Sequence, residues 1–111
     1  MPAAISELAT LLRPGDVDER CGFVMADGSV IEVENIHPQP HRGFLMSAAA
    51  VLQAEEAVAI WHTHPTESSA LSHEDYRGFL QWPDMTHIII GTDQVRVYQV
   101  VDGFVREATL Q

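Results

Sequence analysis

A short apolar run in the middle of the chain constrains the fold most. Residues 57–61 read Ala-Val-Ala-Ile-Trp, with a helical pattern before them and a loop rich in polar residues after them. A run this short and apolar at consecutive positions is typical of a strand that is buried at the centre of a sheet. The chain is therefore expected to build layers of helix around a sheet.

Further β-type runs and helical patterns surround this strand. Residues 21–25 and 30–33 flank Ala-Asp-Gly-Ser, which predicts a hairpin. Other strands are predicted at 86–90, 95–101 and 104–107, and helices at 2–13, 47–56 and 72–81, while 35–43 is a loop with two prolines and two histidines. The order predicts an α/β fold, a mixed β-sheet flanked by helices, in one domain covering residues 1–111.

Composition excludes several classes of function. The 111 residues carry a formal net charge of -10, a field that repels phosphate backbones and anionic lipid. This negative charge either keeps the protein in solution or attracts a partner with a basic surface. Neither end shows a signal sequence or a membrane span, and the single cysteine, Cys21, suits a reducing compartment. We expect a cytoplasmic protein that binds neither nucleic acid nor membrane.

Two histidines and an aspartate form a candidate metal site. His62 and His64 are two apart at the end of the 57–61 strand, where alternate side chains share a face. Asp75 lies in the first turn of the next predicted helix and can fold back over the strand end. Two imidazoles and a carboxylate suit a catalytic zinc site with one open position, although such a set also holds iron, cobalt or manganese. Asp75 can alternatively serve only in a capping box with Ser72.

The same residues carry a resemblance to a known family. His62-Thr63-His64-Pro65, six further residues and Ser72-His73-Glu74-Asp75 resemble the JAMM (MPN+) metalloprotease motif, His-x-His-Pro-x6-Ser-x-x-Asp. Upstream, Glu19-Arg20-Cys21-Gly22-Phe23 resembles the family's Glu-x-x-Gly, although Val17 stands where members often have proline. The resemblance implies a three-layer JAB/MPN domain, similar to cytidine deaminases, of the compact prokaryotic or phage type.

The resemblance also implies the role of each site residue. His62, His64 and Asp75 correspond to ligands of Zn2+, Glu19 to the base that takes a proton from the attacking water, and Ser72 to a donor for the tetrahedral intermediate. The residues alone do not separate Glu19 from Glu32, Glu34 or Glu67. The implied activity is that of a metallopeptidase or isopeptidase on a protein or peptide substrate, including ubiquitin-like or sulfur-carrier proteins.

Three alternatives remain open at this level. The chain can be a phage tail assembly factor with a JAMM domain, a non-catalytic MPN scaffold, or a zinc-binding protein without turnover. It is too short for the insertions with which larger deubiquitinating members grip ubiquitin, and nothing in it defines an oligomeric state.

Other reactive residues are assigned ordinary roles. His37 and His41 are expected to be exposed loop residues, and His87 is expected to be structural. Cys21 has apolar neighbours and no protease motif around it, so we expect a buried, unreactive thiol.

Overall fold

The strand that contains the apolar run lies inside a six-stranded mixed sheet. A computed structural model describes residues 5–108 of the chain. Its elements are α1 (Ile5–Ala9), β1 (Cys21–Met25), β2 (Val30–Val33), α2 (Ala48–Leu52), β3 (Ala57–Thr63), α3 (His73–Leu80), β4 (Thr86–Ile90), β5 (Val95–Val101) and β6 (Phe104–Ala108). The strand order is β2-β1-β3-β4-β5-β6. No helix in this part of the chain is long and apolar enough to cross a membrane.

The pairing of β3 with β4 sets the topology. These two strands are parallel, and α3 lies in the connection between them. The pairs β1–β2, β1–β3, β4–β5 and β5–β6 are antiparallel. A parallel pair needs a crossover, so the chain must leave the end of β3, form α3 and return to start β4.

Alternate residues of the strands face two different helical layers. On one face, Trp61 and Ile88 pack with Leu8 of α1. On the other face, Ile60 packs with the α2 region and Ile89 packs with Phe79 of α3. Helix, sheet and helix thus form three layers, which confirms the predicted fold class.

Several element boundaries differ from their predictions. The first α-helix ends at Ala9 instead of residue 13, because Thr10, Leu11 and Leu12 each donate to the carbonyl three residues back and continue as tight turns. Residues 2–4 of that predicted helix are outside the described residues. The second helix is shorter than 47–56, while β3 is longer than predicted and includes His62 and Thr63.

One glycine is required for the central strands to approach one another. A side chain at Gly22 would collide with the Ile31 carbonyl and the Trp61 ring. Trp61 is fully buried and donates from its indole nitrogen to that same carbonyl, at 3.2 Å. Gly22 is therefore required for the packing of β1, three residues after Glu19.

Candidate metal centre

The two histidines are placed by the end of β3. His62 is the partner of Cys21 and Ile89 in the neighbouring strands, and its side chain is fully buried on the face covered by α2 and α3. His64 follows the strand, and its amide donates to the Ile90 carbonyl at 2.8 Å. The main chain of His62 is thus held by strands on both sides, and that of His64 by β4.

The segment after His64 is anchored to the β4–β5 turn. The Ser69 amide donates to the Asp93 carboxylate at 2.8 Å, and the Tyr98 hydroxyl donates to the Ser69 carbonyl at 2.9 Å. The backbone of Ser68 and Ser69 lies so close to Gly91 that a Cβ there would collide with it. These contacts turn the chain back across the sheet edge and determine where α3 begins.

The first turn of α3 presents Asp75. Ser72 caps the helix: its hydroxyl accepts from the Asp75 amide at 3.1 Å, and its own amide donates to Asp75 Oδ2 at 3.0 Å. Such a capping box satisfies two otherwise free amides at the helix start. Asp75 therefore does serve in the predicted capping box, and the same carboxylate reaches both histidines.

The three side chains converge on one point. Asp75 Oδ1 lies 3.0 Å from His62 Nε2, Asp75 Oδ2 lies 3.1 Å from His64 Nε2, and the two Nε2 atoms are 3.2 Å apart. Zinc–nitrogen distances of about 2.0–2.1 Å in a tetrahedral site put neighbouring ligand atoms roughly 3.3 Å apart. The 3.2 Å between the two Nε2 atoms is close to this separation, and Asp75 meets the two nitrogens with its two different oxygens.

A hydrogen bond behind the site selects the free nitrogen of His64. His64 Nδ1 lies 2.7 Å from the Ser68 carbonyl, to which it donates. Nε2 is then the atom turned toward Asp75. Orientation of a ligating imidazole by a carbonyl on its other nitrogen is usual in metal sites.

Glu19 enters the site from the segment before β1. The amide of Arg20 donates to the Thr63 hydroxyl and the amide of Thr63 donates to the Arg20 carbonyl, both at 2.9 Å. This pair extends the β1–β3 ladder and sets Glu19 beside the histidines. Glu19, His62 and His64 offer ligand atoms that lie within 4.8 Å of one another.

A loop residue that sequence reasoning missed also holds Glu19. The side-chain nitrogen of Asn35 donates to the Glu19 carbonyl at 2.8 Å and to the Gly43 carbonyl at 3.0 Å. Its side-chain oxygen accepts from the backbone amides of His37 and Leu45. Asn35 thereby ties the whole 35–45 loop to the main chain of Glu19. No periodic pattern marks the loop, so only an asparagine's tendency to bond nearby backbone hinted at this role.

The close contacts among His62, His64 and Asp75, and their burial, shift the pKa values of all three side chains. Burial opposes a charge on His64, but the hydrogen bonds to Asp75 and to the Ser68 carbonyl, together with the charges of Asp75 and Glu19, outweigh it and raise the pKa of His64 to about 9. Burial dominates at His62 and lowers its pKa. Although burial acts in the opposite direction, hydrogen bonds from both histidines hold the pKa of Asp75 well below its usual range.

Glu19 has a different environment. It is buried, and Oε1 has no hydrogen-bond partner among the described residues. Burial, opposed by His64 and reinforced by Asp75, raises the pKa of Glu19 to about 8. A buried carboxyl that faces two imidazoles without a partner is an expected feature of a site that binds something further.

Aromatic rings enclose His62. Phe44 stacks on its imidazole with ring centroids 4.5 Å apart, and Phe79 meets it edge-on at 6.2 Å. Neither ring belongs to the sequence motif. They exclude water from one side of the site, and Phe79 also stacks on the buried His87.

The remaining reactive residues were partly predicted. Cys21 is buried, and burial raises the pKa of its thiol to about 12, in agreement with an unreactive side chain. His41 is exposed, as expected. His37 is half-buried, and its Nε2 lies 3.1 Å from Glu74 Oε1, so the prediction of an exposed loop residue is wrong for His37. This contact connects the 35–45 loop to α3.

Comparison with known proteins gives the same family as the motif. Residues 1–102 match the family described as prokaryotic homologs of the JAB domain. Among curated proteins, the chain is 32% identical over 82 residues to the "Probable TtuB-protein conjugate cleaving protease" of Thermus thermophilus. That alignment covers 67% of this chain and 54% of the relative, so the chain spans about half of the length of that protein.

A solved structure has the same fold. The solution structure of protein DSY2949 from Desulfitobacterium hafniense superposes with a TM-score of 0.75 at 20% sequence identity. The superposition covers 96% of this chain and 86% of that chain. At this level of identity the similarity concerns the arrangement of the strands and helices.

Proposed function

The chain belongs to the family of prokaryotic homologs of the JAB domain, and we propose on that premise that it is a zinc-dependent metallopeptidase that cleaves protein conjugates. One observation carries the proposal. His62, His64 and Asp75 meet in one buried cluster with contacts of 3.0 to 3.2 Å, and the unpaired carboxylate of Glu19 lies beside them.

His62, His64 and Asp75 are the residues that would hold the ion. Asp75 touches both imidazoles at 3.0 and 3.1 Å, and the Ser72 amide fixes its carboxylate. Zinc in such a site polarises a scissile carbonyl and lowers the pKa of a water molecule to about 7. Three protein ligands leave the fourth position open for this chemistry.

Glu19 is assigned the role of general base. Its main chain is fixed by Asn35 and by the Arg20–Thr63 pair, whereas its Oε1 is unpaired, so this oxygen is free to take a proton from water. A cation held by the histidines favours the ionised carboxylate, because an opposite charge at close range lowers a carboxyl pKa. The same carboxylate then returns the proton to the leaving amine.

Ser72 is assigned to the tetrahedral intermediate. Its hydroxyl oxygen accepts from the Asp75 amide, which leaves the hydroxyl proton available, and the residue is exposed at the start of α3. A donor aimed at the developing oxyanion stabilises the transition state, typically by about 3 kcal/mol. The capping box thus holds both a metal ligand and the proposed donor in one turn.

The proposed substrate is a ubiquitin-like or sulfur-carrier protein joined to another protein. The name of the Thermus thermophilus relative, a protease for TtuB-protein conjugates, supports this class. Cleavage of such a conjugate yields two proteins by hydrolysis of one amide or isopeptide bond.

Metal content and conjugate cleavage together test the proposal. We expect equimolar zinc and cleavage of an isopeptide-linked conjugate in wild type and in His41→Ala, which alters an exposed loop histidine. His64→Ala should lose both. Elemental analysis of protein purified without added zinc gives the metal content, and electrophoresis follows the cleavage. Wild type without metal would favour a non-catalytic scaffold, and zinc without turnover on any conjugate would contradict the peptidase.

A further inference from the structure

A cavity of about 240 Å³ opens beside the candidate metal centre. It lies between the sheet, the loop before α2, and α3. Its apolar lining includes Phe23, Phe44, Leu45, Ile60, Phe79 and Trp82. Concave sites lined by aromatic and aliphatic side chains, with few polar groups, are the usual form of a ligand pocket.

The cavity adjoins the proposed active site through Asp75 and two aromatic rings. Asp75 lines the cavity and also contacts His62 and His64. Phe44 and Phe79 form cavity wall on one side and pack against the His62 ring on the other. A substrate with its scissile bond at the metal ligands therefore places a neighbouring side chain at the cavity.

The mouth of the cavity exposes apolar surface, whereas its floor is buried. Leu45 and Trp82 are 51% and 40% exposed, while Phe23 and Ile60 are 2% and 5% exposed. Exposed apolar residues beside an apolar hollow are characteristic of a binding site. Burial of an apolar group would cover this mouth and stabilise the complex.

A glycine in α3 borders the cavity. Gly78 lines the cavity from the last turn of the helix, and a Cβ built on it would meet no atom within 4 Å. Glycine inside a helix costs about 1 kcal/mol relative to alanine. Since no atom lies near its Cβ position, residue 78 has room for a larger side chain at the border of the cavity.

We propose that this cavity, which we call the α3 pocket, binds a large apolar side chain of the substrate within one or two residues of the scissile bond. The inference rests on the proposed peptidase function and adds a substrate preference to it. The preferred substrate therefore carries leucine or phenylalanine, and not glycine, at the position whose side chain enters the α3 pocket. Differences of this size in an apolar pocket typically change kcat/KM by roughly 10-fold to 200-fold.

Paired substrates and paired variants test the preference. In one series of conjugates the residue before the scissile bond is glycine, alanine or leucine. In the second series the residue after the scissile bond is varied in the same way. Wild type should cleave a leucine substrate with a kcat/KM roughly 10-fold or more above its glycine counterpart in one series. Gly78→Leu fills the α3 pocket and should bring this ratio close to one, whereas Gly78→Ala should retain most of it. Both variants should melt no lower than wild type, because each replaces a helical glycine.

A binding experiment separates this inference from the proposed function. Met46 lines the α3 pocket, so its methyl resonance reports occupancy. N-acetyl-leucinamide should shift this resonance in wild type but not in Gly78→Leu, and N-acetylglycinamide should shift it in neither. These shifts without turnover of any conjugate would support the pocket and reject the peptidase. Equal kcat/KM values together with an unmoved Met46 resonance would overturn the pocket. A shift that follows protein concentration alone would overturn it too, since a second copy would then be the occupant.

Discussion

At the scale of single residues, Glu19 combines a rigid main chain with a free carboxylate. Its amide donates to the Pro40 carbonyl at 2.7 Å and its carbonyl accepts from Asn35. None of these contacts uses the carboxylate, and Oε1 has no partner among the described residues. A change of charge at the side chain can therefore be made without loosening the backbone.

Glu19→Gln should keep the metal and lose most of the activity. The amide has nearly the same shape but cannot accept a proton, and general base catalysis contributes about 100-fold to 10,000-fold. We expect kcat to fall within that range while zinc content stays equimolar. Glu34→Gln, the same chemical change at an exposed glutamate, is the control. Undiminished turnover in Glu19→Gln would show that another residue is the base, and loss of zinc would show that Glu19 is a metal ligand.

The sequence predicts the candidate ligands of the site better than the residues that hold them in place. The histidine pair and Asp75 follow from short spacings, because strand alternation and a helix cap dictate which side chains meet. Glu19 could be selected only through the family resemblance, since its place depends on a ladder between residues 43 positions apart. Asn35 and Phe44 were missed because an aperiodic loop does not encode which backbone it will touch.

At the scale of elements, α3 links the site to the core. Its first turn carries Asp75, and its last turn carries Phe79, which packs between His62 and His87. His87 lies on β4, almost fully buried, and donates from Nε2 to the Trp82 carbonyl at 3.0 Å. The packing of α3 on β4 thus includes an imidazole that must remain neutral.

His87 should make the fold less stable in acid. Burial, opposed by the bond to Trp82, lowers the pKa of His87 to about 4 from an ordinary value of 6.5. The unfolded chain therefore binds the proton first. The contribution of His87 to stability is complete above pH 6.5 and is lost as the pH falls toward 4, by about 3 kcal/mol.

Urea unfolding across this pH range measures the effect. In the presence of a chelator, His87→Gln should lose less stability between pH 6.5 and 4.5 than wild type does. His62 and Asp75, the nearest titrating groups, are common to both proteins and cancel in the difference. His41→Gln, at an exposed position, should follow wild type. Parallel stability curves for wild type and His87→Gln would show that His87 does not carry this dependence.

Element types were easier to predict than element lengths. The six strands and three helices all occur, because alternation, turn residues and caps are local signals. The ends of α1 and β3 were misplaced for different reasons. Tight turns replace the α-helix after Ala9. His62 and Thr63 extend β3 because Arg20 and β4 supply hydrogen-bond partners, and the local sequence does not predict these distant partners.

At the scale of the whole molecule, negative charge surrounds the site. The chain carries sixteen acidic and six basic side chains, a formal net charge of -10. Glu67 and Glu74 lie close enough to Glu19 to help raise its pKa. A field of one sign around a cleft attracts substrates of the opposite sign and accelerates their association.

A substrate with a basic segment near the scissile bond should therefore be captured faster at low salt. Raising the ionic strength from about 0.1 M to about 1 M shortens the Debye length from about 10 Å to about 3 Å, which screens the acidic surface. We expect kcat/KM for a lysine-rich conjugate to fall several-fold while kcat changes little, because screening affects the encounter and not the bound state. A conjugate with glutamines in place of the lysines is the control and should show no such decrease. If both conjugates respond equally to salt, the acidic surface serves solubility and not the capture of substrate.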